Sequence, residues 1–398
     1  MPATTEVKTP FSERINRIAI SATLAVVNEA DKLRSEGADL VDFGAGEPHF
    51  STPQHIKEAA IAAINGNFTK YTAVAGTAEL RDAIVQRHAE DFGSDYKRDE
   101  VIASTGGKNA LFNVFQVLVE HGDEVIIPVP YWVSFKDIVE YAGGKCVYVE
   151  TDEKRGFALK PEMIERAITP RTKVILLNSP NNPAGSVLSP EDMTSVVRMA
   201  AERGIYVVSD ECYVYLNYTG RRFSVGSLKE AKDKLIVIGS LSKTYSMTGW
   251  RLGYALGPAP VVKQLQKLQS QSTSNPTSIV QKAAVAALKG SQVCVEEMIG
   301  DYKELRAQIV NGLRELKGVE CVFPEGAFYA YPNVSAFLGR GGTTSAADIA
   351  KKLLREAHVV TVPGEAFGTK EHIRLSYAAS SKEIARGLER MKEFFGKL

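Results

Sequence analysis

The chain has 398 residues, 44% of them hydrophobic and 24% charged, with a net charge of +1. That balance is ordinary for a globular protein and too even for a nucleic-acid or acidic-membrane surface, which needs concentrated basic charge. No apolar run approaches the roughly 20 residues that cross a bilayer, so neither a nucleic acid nor a membrane is an expected partner.

The first residues, MPATTEVKTPFSERINR, are polar and mixed in charge, without the apolar core and small-residue cleavage site of a secretory signal. Cys146, Cys212, Cys294 and Cys321 form no CxxC and no metal-ligand spacing with His. The expectation is a reducing cytoplasm, with neither a disulfide framework nor a metal site.

In chain order, a helix is predicted over residues 22–37. From about 100 to 255, β-branched runs alternate with helical patterns. Residues 101–105 read as a strand leading into a helix over 109–120, and 124–127 as a strand followed by a helix after Tyr131. Residues 146–150, 173–178, 205–209 and 235–238 are further strands. Strands separated by helices make a mostly parallel sheet covered on both faces. Beyond about 280 the pattern changes to one long helix over 279–318, a strand over 327–331, a helix over 345–356 and a last helix from 381. This predicts a smaller α+β domain over 286–398, a large domain over 49–285, and an N-terminal segment, 1–48, packed with the smaller one.

Ligands of parallel sheets sit at the carboxyl ends of the strands. Here those ends carry Gly106-Gly107-Lys108, Tyr131-Trp132, Asn178 to Pro183, Asp210 with Tyr213, and Ser240 to Lys243. Polar clusters from distant parts of the chain therefore converge on one rim. A lysine desolvated there becomes a nucleophile toward aldehydes. Arg251 and the Ser240 and Ser242 hydroxyls suit a phosphate beside Lys243. Glycines opening a helix leave backbone N–H groups free for an anion. That arrangement at Gly106-Gly107 has neither Walker nor dinucleotide spacing. Asp210 reads either as a helix cap or as a buried carboxylate facing a protonated ring nitrogen. The Asn178–Gly185 segment is a turn, or a rigid mount for paired amides. Trp132 is a core residue or a stacking platform, and Arg374 an edge arginine or a carboxylate clamp.

Taken together, the sequence resembles the class I aminotransferases, pyridoxal-phosphate enzymes of fold type I. The resemblance rests on SLSK at 240–243 with GWR at 249–251, SPNNPAG at 179–185, DECY at 210–213, GEP at 46–48, YW at 131–132 and RLS at 374–376. It runs over nearly the whole chain and looks most like the bacterial and archaeal aspartate aminotransferase branch. It implies an α/β fold in which the large domain binds pyridoxal phosphate, and a homodimer with shared sites.

The resemblance also implies roles. Lys243 is the Schiff-base lysine and proton shuttle, and Asp210 pairs with the ring nitrogen. Tyr213 and Asn182 bond the ring's phenolic oxygen, and Trp132 stacks on the ring. Gly107, the Lys108 backbone N–H, Ser240, Ser242 and Arg251 hold the phosphate, with Tyr71 reaching the phosphate of the neighbouring subunit's cofactor. Arg374 clamps the substrate α-carboxylate, with Gly46 lining the same site and Lys108 placed to meet a second carboxylate. The implied activity is amino-group transfer between aspartate or glutamate and 2-oxo acids. Aromatic substrates are an alternative, with Phe11, Tyr71 and Trp132 as adaptable walls. A prephenate side activity is not expected, because Ala19 and Ile20 stand where such relatives carry a basic residue before the serine matching Ser21. A lyase of the same fold and a non-enzymatic effector-binding module are the remaining classes. The latter would carry a basic winged-helix extension ahead of the fold, which is not expected here.

Overall fold

The computed structural model of the chain describes residues 11–19 and 22–398; Ile20 and Ser21 lie outside the described residues. In chain order its strands are β1 (Val41–Asp42), β2 (Val101–Ser104), β3 (Glu124–Val129), β4 (Lys145–Glu150), β5 (Thr172–Asn178) and β6 (Tyr206–Asp210). They continue as β7 (Leu235–Ser240), β8 (Gly253–Leu256), β9 (Tyr329–Ala330), β10 (Val359–Val360), β11 (Val362–Pro363) and β12 (Ile373–Ser376).

A seven-stranded sheet in the order β2-β8-β7-β6-β5-β3-β4 carries the site. It is parallel except for β8, which runs antiparallel to both β2 and β7. Strands β2 and β7 are buried almost throughout, as expected where helices cover both faces and the sequence is a continuous apolar run. The predicted fold class is therefore found: a mostly parallel sheet flanked by helices. A second, antiparallel sheet, β11-β12-β9, lies above the rim, and β1 pairs in parallel with β10. Helix Ala22–Ser35 packs beside them, with Ala30 buried against Leu354 and Val360. Among the described residues no helix is long and apolar enough to cross a membrane.

The structure corrects the sequence reading in three places. The predicted helix over 279–318 is two helices, Ser278–Lys289 and Val293–Arg314. At Gly290 a Cβ would lie 2.5 Å from the Ala286 carbonyl. Gln292 then ends the first helix, its Nε2 donating to the carbonyls of Ala287 (3.0 Å) and Gly290 (2.8 Å), the orphan acceptors of a helix terminus. The strand predicted over 327–331 pairs only at Tyr329–Ala330. Strand β8 was not anticipated. Its register sets Ser240 opposite Gly253, so the chain between them folds back over the rim and returns Arg251 to the neighbourhood of Lys243.

That return needs Gly253 to be glycine. A Cβ there would sit 2.2 Å from the Gly107 backbone nitrogen and 2.6 Å from the Gly106 carbonyl carbon. Gly253→Ala is expected to cost about 1–3 kcal/mol through overpacking of backbone on backbone. A denaturant midpoint measures it; an unchanged midpoint would mean that the two segments can part freely.

Candidate active site

Between the carboxyl ends of the parallel strands and the β9–β12 pair lies a cavity of about 510 Å³. Lys243 enters it from the one-turn helix Leu241–Thr244, which follows β7 directly. Ser240 begins that turn, its hydroxyl accepting from the Ser242 N–H at 3.2 Å. The Lys243 Nζ donates to the carbonyl of Gly46. Burial holds its pKa below the ordinary lysine value, which favours the unprotonated, nucleophilic amine.

Positive charge gathers on one side. Helix Gly107–Leu118 opens at Gly106, whose φ is +98°, with no side-chain cap and no acidic residue in its first turn. A Cβ at Gly106 would lie 2.6 Å from an Arg251 guanidinium nitrogen, and one at Gly107 would lie 3.2 Å from the Ser240 Cβ. Arg251 itself adopts a left-handed φ of 53°, uncommon for a side-chain-bearing residue and costly unless the surroundings fix it. Its Nη1 donates to the Thr248 carbonyl at 2.7 Å. Lys108 places its Nζ 4.8 Å from the centre of the Trp132 ring. Burial and then the nearby Arg251 charge lower its pKa. Two cations crowded at a helix start make a seat for an anion.

Negative charge lies across the cavity. Asp210, at the end of β6, is buried and accepts from the Cys212 N–H at 3.1 Å. Among the described residues no ion pair reaches it, and desolvation pushes its carboxyl up to about 6. Behind it, burial also raises Glu211, to about 7. Glu211 accepts from the Ser209 hydroxyl at 3.1 Å and the Val225 N–H at 3.0 Å. Cys212 lines the cavity as a thiol whose pKa burial pushes up to about 12.

Of the paired amides, Asn181 holds the turn: its Nδ2 donates to the Pro130 carbonyl at 3.1 Å, and its Oδ1 accepts from the Ala184 N–H at 3.0 Å. Asn182 faces the cavity. Its Oδ1 accepts from Arg374 Nη1 at 3.2 Å, which leaves the amide N–H pair as its donor end. Arg374 is 2% exposed, so it is no edge residue. Its Nη2 donates to the Gly44 carbonyl at 2.6 Å, while its Nε has no partner. A buried guanidinium with neutral acceptors only, and no ion pair among the described residues, can receive a carboxylate.

The structure thus brings Gly46, Gly107, Lys108, Trp132, Asn182, Asp210, Tyr213, Ser240, Ser242, Lys243, Arg251 and Arg374 around one cavity. Tyr71 does not join them: it is 91% exposed in this chain. Phe11, 69% exposed, is not a wall of the cavity either. The sequence reading missed Tyr329, which lines the cavity and meets Tyr213 hydroxyl to hydroxyl at 2.7 Å. Its strand was recognised, but nothing in a local pattern says which residue a short strand will face.

Residues 38–391 match the family model for aminotransferase class I and II. The chain belongs to that family and is an enzyme of amino-group transfer. It is 43% identical over 386 residues to an aspartate aminotransferase of Geobacillus stearothermophilus, covering 96% of this chain and 98% of the relative. It is 42% identical to an aspartate/prephenate aminotransferase of Thermus thermophilus, covering 97% and 99%. A solved structure of the Thermus thermophilus aspartate aminotransferase with maleate superposes with a TM-score of 0.93 at 42% identity, covering 97% and 99% of the two chains. The Rhizobium meliloti aspartate aminotransferase gives a TM-score of 0.94 at 39% identity, covering 98% and 100%.

Asp210 carries a pH signature. A carboxyl raised in the folded state holds its proton more tightly there than in the unfolded chain. Its stabilising contribution is complete below its ordinary value of 3.8 and is lost as pH rises through about 6. A shift of that size is worth about 3 kcal/mol. Asp210→Asn is therefore expected to stabilise the cofactor-free protein at pH 8 and hardly at pH 4, measured by urea unfolding at both. An equal gain at both pH values would assign the effect to something other than the buried charge.

Proposed function

We propose that the chain moves an amino group between aspartate or glutamate and 2-oxo acids, with pyridoxal phosphate as cofactor and a second copy of itself as partner. One observation carries this reading: a desolvated lysine, an unpaired buried carboxyl and an unpaired buried guanidinium all face one cavity.

The residues fit the cofactor. The uncapped start of helix Gly107–Leu118, with its Lys108 backbone N–H, and Arg251, Ser240 and Ser242 would hold a dianionic phosphate. Asp210 lacks only a cation, which a protonated ring nitrogen supplies, and Tyr213 and Asn182 present donors for a phenolate oxygen. Trp132 offers the ring a flat face. When bound, pyridoxal phosphate provides the electron sink that stabilises negative charge at the substrate α-carbon. Lys243 Nζ, its basicity lowered by burial, would be the amine that holds the cofactor through its aldehyde and the base placed to take and return the α-proton. Arg374 orients the α-carboxylate through its paired N–H groups. Lys108 meets the second carboxylate, and the four-carbon dicarboxylate maleate in the Thermus structure supports that choice.

A dimer is supported by apolar exposure on and just after helix Gln54–Asn65: Ile61 is 54% exposed, Ile64 49% and Tyr71 91%. Tyr71 would there reach the partner's phosphate. Residues 49–285 form the cofactor-binding domain in this reading. Residues 286–398, with the N-terminal segment, form the domain that carries Arg374 and closes over the substrate.

Half-reaction spectra test the assignment. Aspartate and glutamate are expected to convert the cofactor to its amine form quickly, and phenylalanine and alanine slowly. Preferred conversion by phenylalanine would move the assignment to aromatic substrates. Lys243→Ala is expected to abolish conversion. Lys108→Ala is expected to raise KM for aspartate roughly tenfold or more, the worth of one charge-assisted bond, with alanine unaffected. A uniform loss for both amino acids would place Lys108 at the phosphate alone.

A further inference from the structure

The Tyr329 and Tyr213 hydroxyls lie 2.7 Å apart. Their rings meet edge to face, with centroids separated by 5.7 Å and planes at 80°. Tyr213 follows β6 of the large sheet, whereas Tyr329 belongs to β9 of the small one, where it pairs with Ser376 of the Arg374-bearing strand. The Arg374 guanidinium carbon lies 4.6 Å from the centre of the Tyr329 ring. On the remaining side, a Cβ at Gly46 would stand 3.1 Å from the Tyr329 hydroxyl, and the carbonyl of Gly46 receives Lys243. One buried phenol therefore touches the tyrosine at the ring oxygen, the carboxylate clamp and the backbone that seats the lysine.

Counting protons fixes the direction of this contact. Each hydroxyl has a single proton to give. Two hydroxyls sharing one hydrogen bond use one proton between them and leave the other free. If Tyr213 gives its proton to an acceptor in the cavity, the proton between the two oxygens must come from Tyr329. We infer that Tyr329 is a positioning residue that donates to Tyr213 and so commits the Tyr213 proton to the phenolic oxygen of the bound cofactor. The inference rests on the cofactor reading above. Hydrogen bonds in series strengthen one another in a low-dielectric site, so the relay makes Tyr213 a better donor than it would be alone. Burial raises both phenols, Tyr213 well above its ordinary value, while at Tyr329 the Arg374 charge over the ring opposes the rise, which favours Tyr329 as the donating partner.

The readout is the pH midpoint of the visible absorbance of the holo-protein without substrate. A donor to the phenolic oxygen stabilises its negative charge and eases loss of the proton on the nitrogen that joins Lys243 to the cofactor. Removing the donor raises the midpoint. Tyr329→Phe is expected to raise it by about half a pH unit, a fraction of one hydrogen bond to a charged acceptor. Tyr213→Phe is expected to raise it further. In the Tyr213→Phe background Tyr329→Phe then adds nothing. Incorporating 3-fluorotyrosine at position 329, a more acidic phenol of nearly the same shape, is expected to lower the midpoint. A wild-type midpoint in Tyr329→Phe, an equal shift in both backgrounds, or no response to 3-fluorotyrosine would each overturn the relay. A protein that takes up no pyridoxal phosphate overturns the cofactor reading, and the relay with it.

Discussion

Asp210 and Arg374 are buried on two sides of one cavity, and among the described residues neither has an opposite charge beside it. Desolvation without a partner is among the more expensive states a side chain can occupy, and much of the surrounding architecture serves to hold these two groups in it. Asp210 stays because β6 is fixed between β5 and β7 and the Cys212 N–H caps one carboxyl oxygen. Arg374 stays because β12 is buried along its whole length and the Gly44 and Asn182 oxygens occupy part of its fork. What these neutral contacts leave unmet is charge. A ligand that brought positive charge to Asp210 and a carboxylate to Arg374 would complete both sides at once.

The same principle orders the anion seat. Burial lowers the basicity of Lys108, and repulsion from Arg251 lowers it further. Arg251 is also held in a left-handed backbone conformation. Both features are unfavourable in the protein alone, and an anion at the uncapped helix start beside Arg251 would offset them. Stability is given up at the places where binding recovers it. The sheet, buried on both faces, is the rigid part that makes such an exchange tolerable.

Local pattern was enough to find most of the parallel strands and the polar residues at their carboxyl ends, because a strand buried on both faces must be apolar along its length and must end where polarity begins. It failed where distance in sequence decided the outcome. Strand β8 is only four residues long and is defined by partners on either side of it, not by its own alternation. The break at Gly290 looks like tolerated glycine inside a helical pattern until Gln292 is seen capping it. Tyr329 carries no local mark of its role, since its partners Tyr213, Arg374 and Gly46 come from three other segments. Tyr71 is outside its own chain's cavity, a position that sequence resemblance could describe only by invoking a second subunit.

The sequence by itself determined the fold class, the family and the chemical inventory: a lysine among hydroxyls after a buried strand, a glycine-opened helix, a carboxyl and a tyrosine at one strand end, an arginine in an apolar run. These follow from residue type and short-range spacing, which act over a turn or a strand. Only the tertiary structure decided which of these groups are stripped of water and which are left without partners. Those properties depend on the low-dielectric surroundings that distant segments create together, and no stretch of sequence contains its own surroundings.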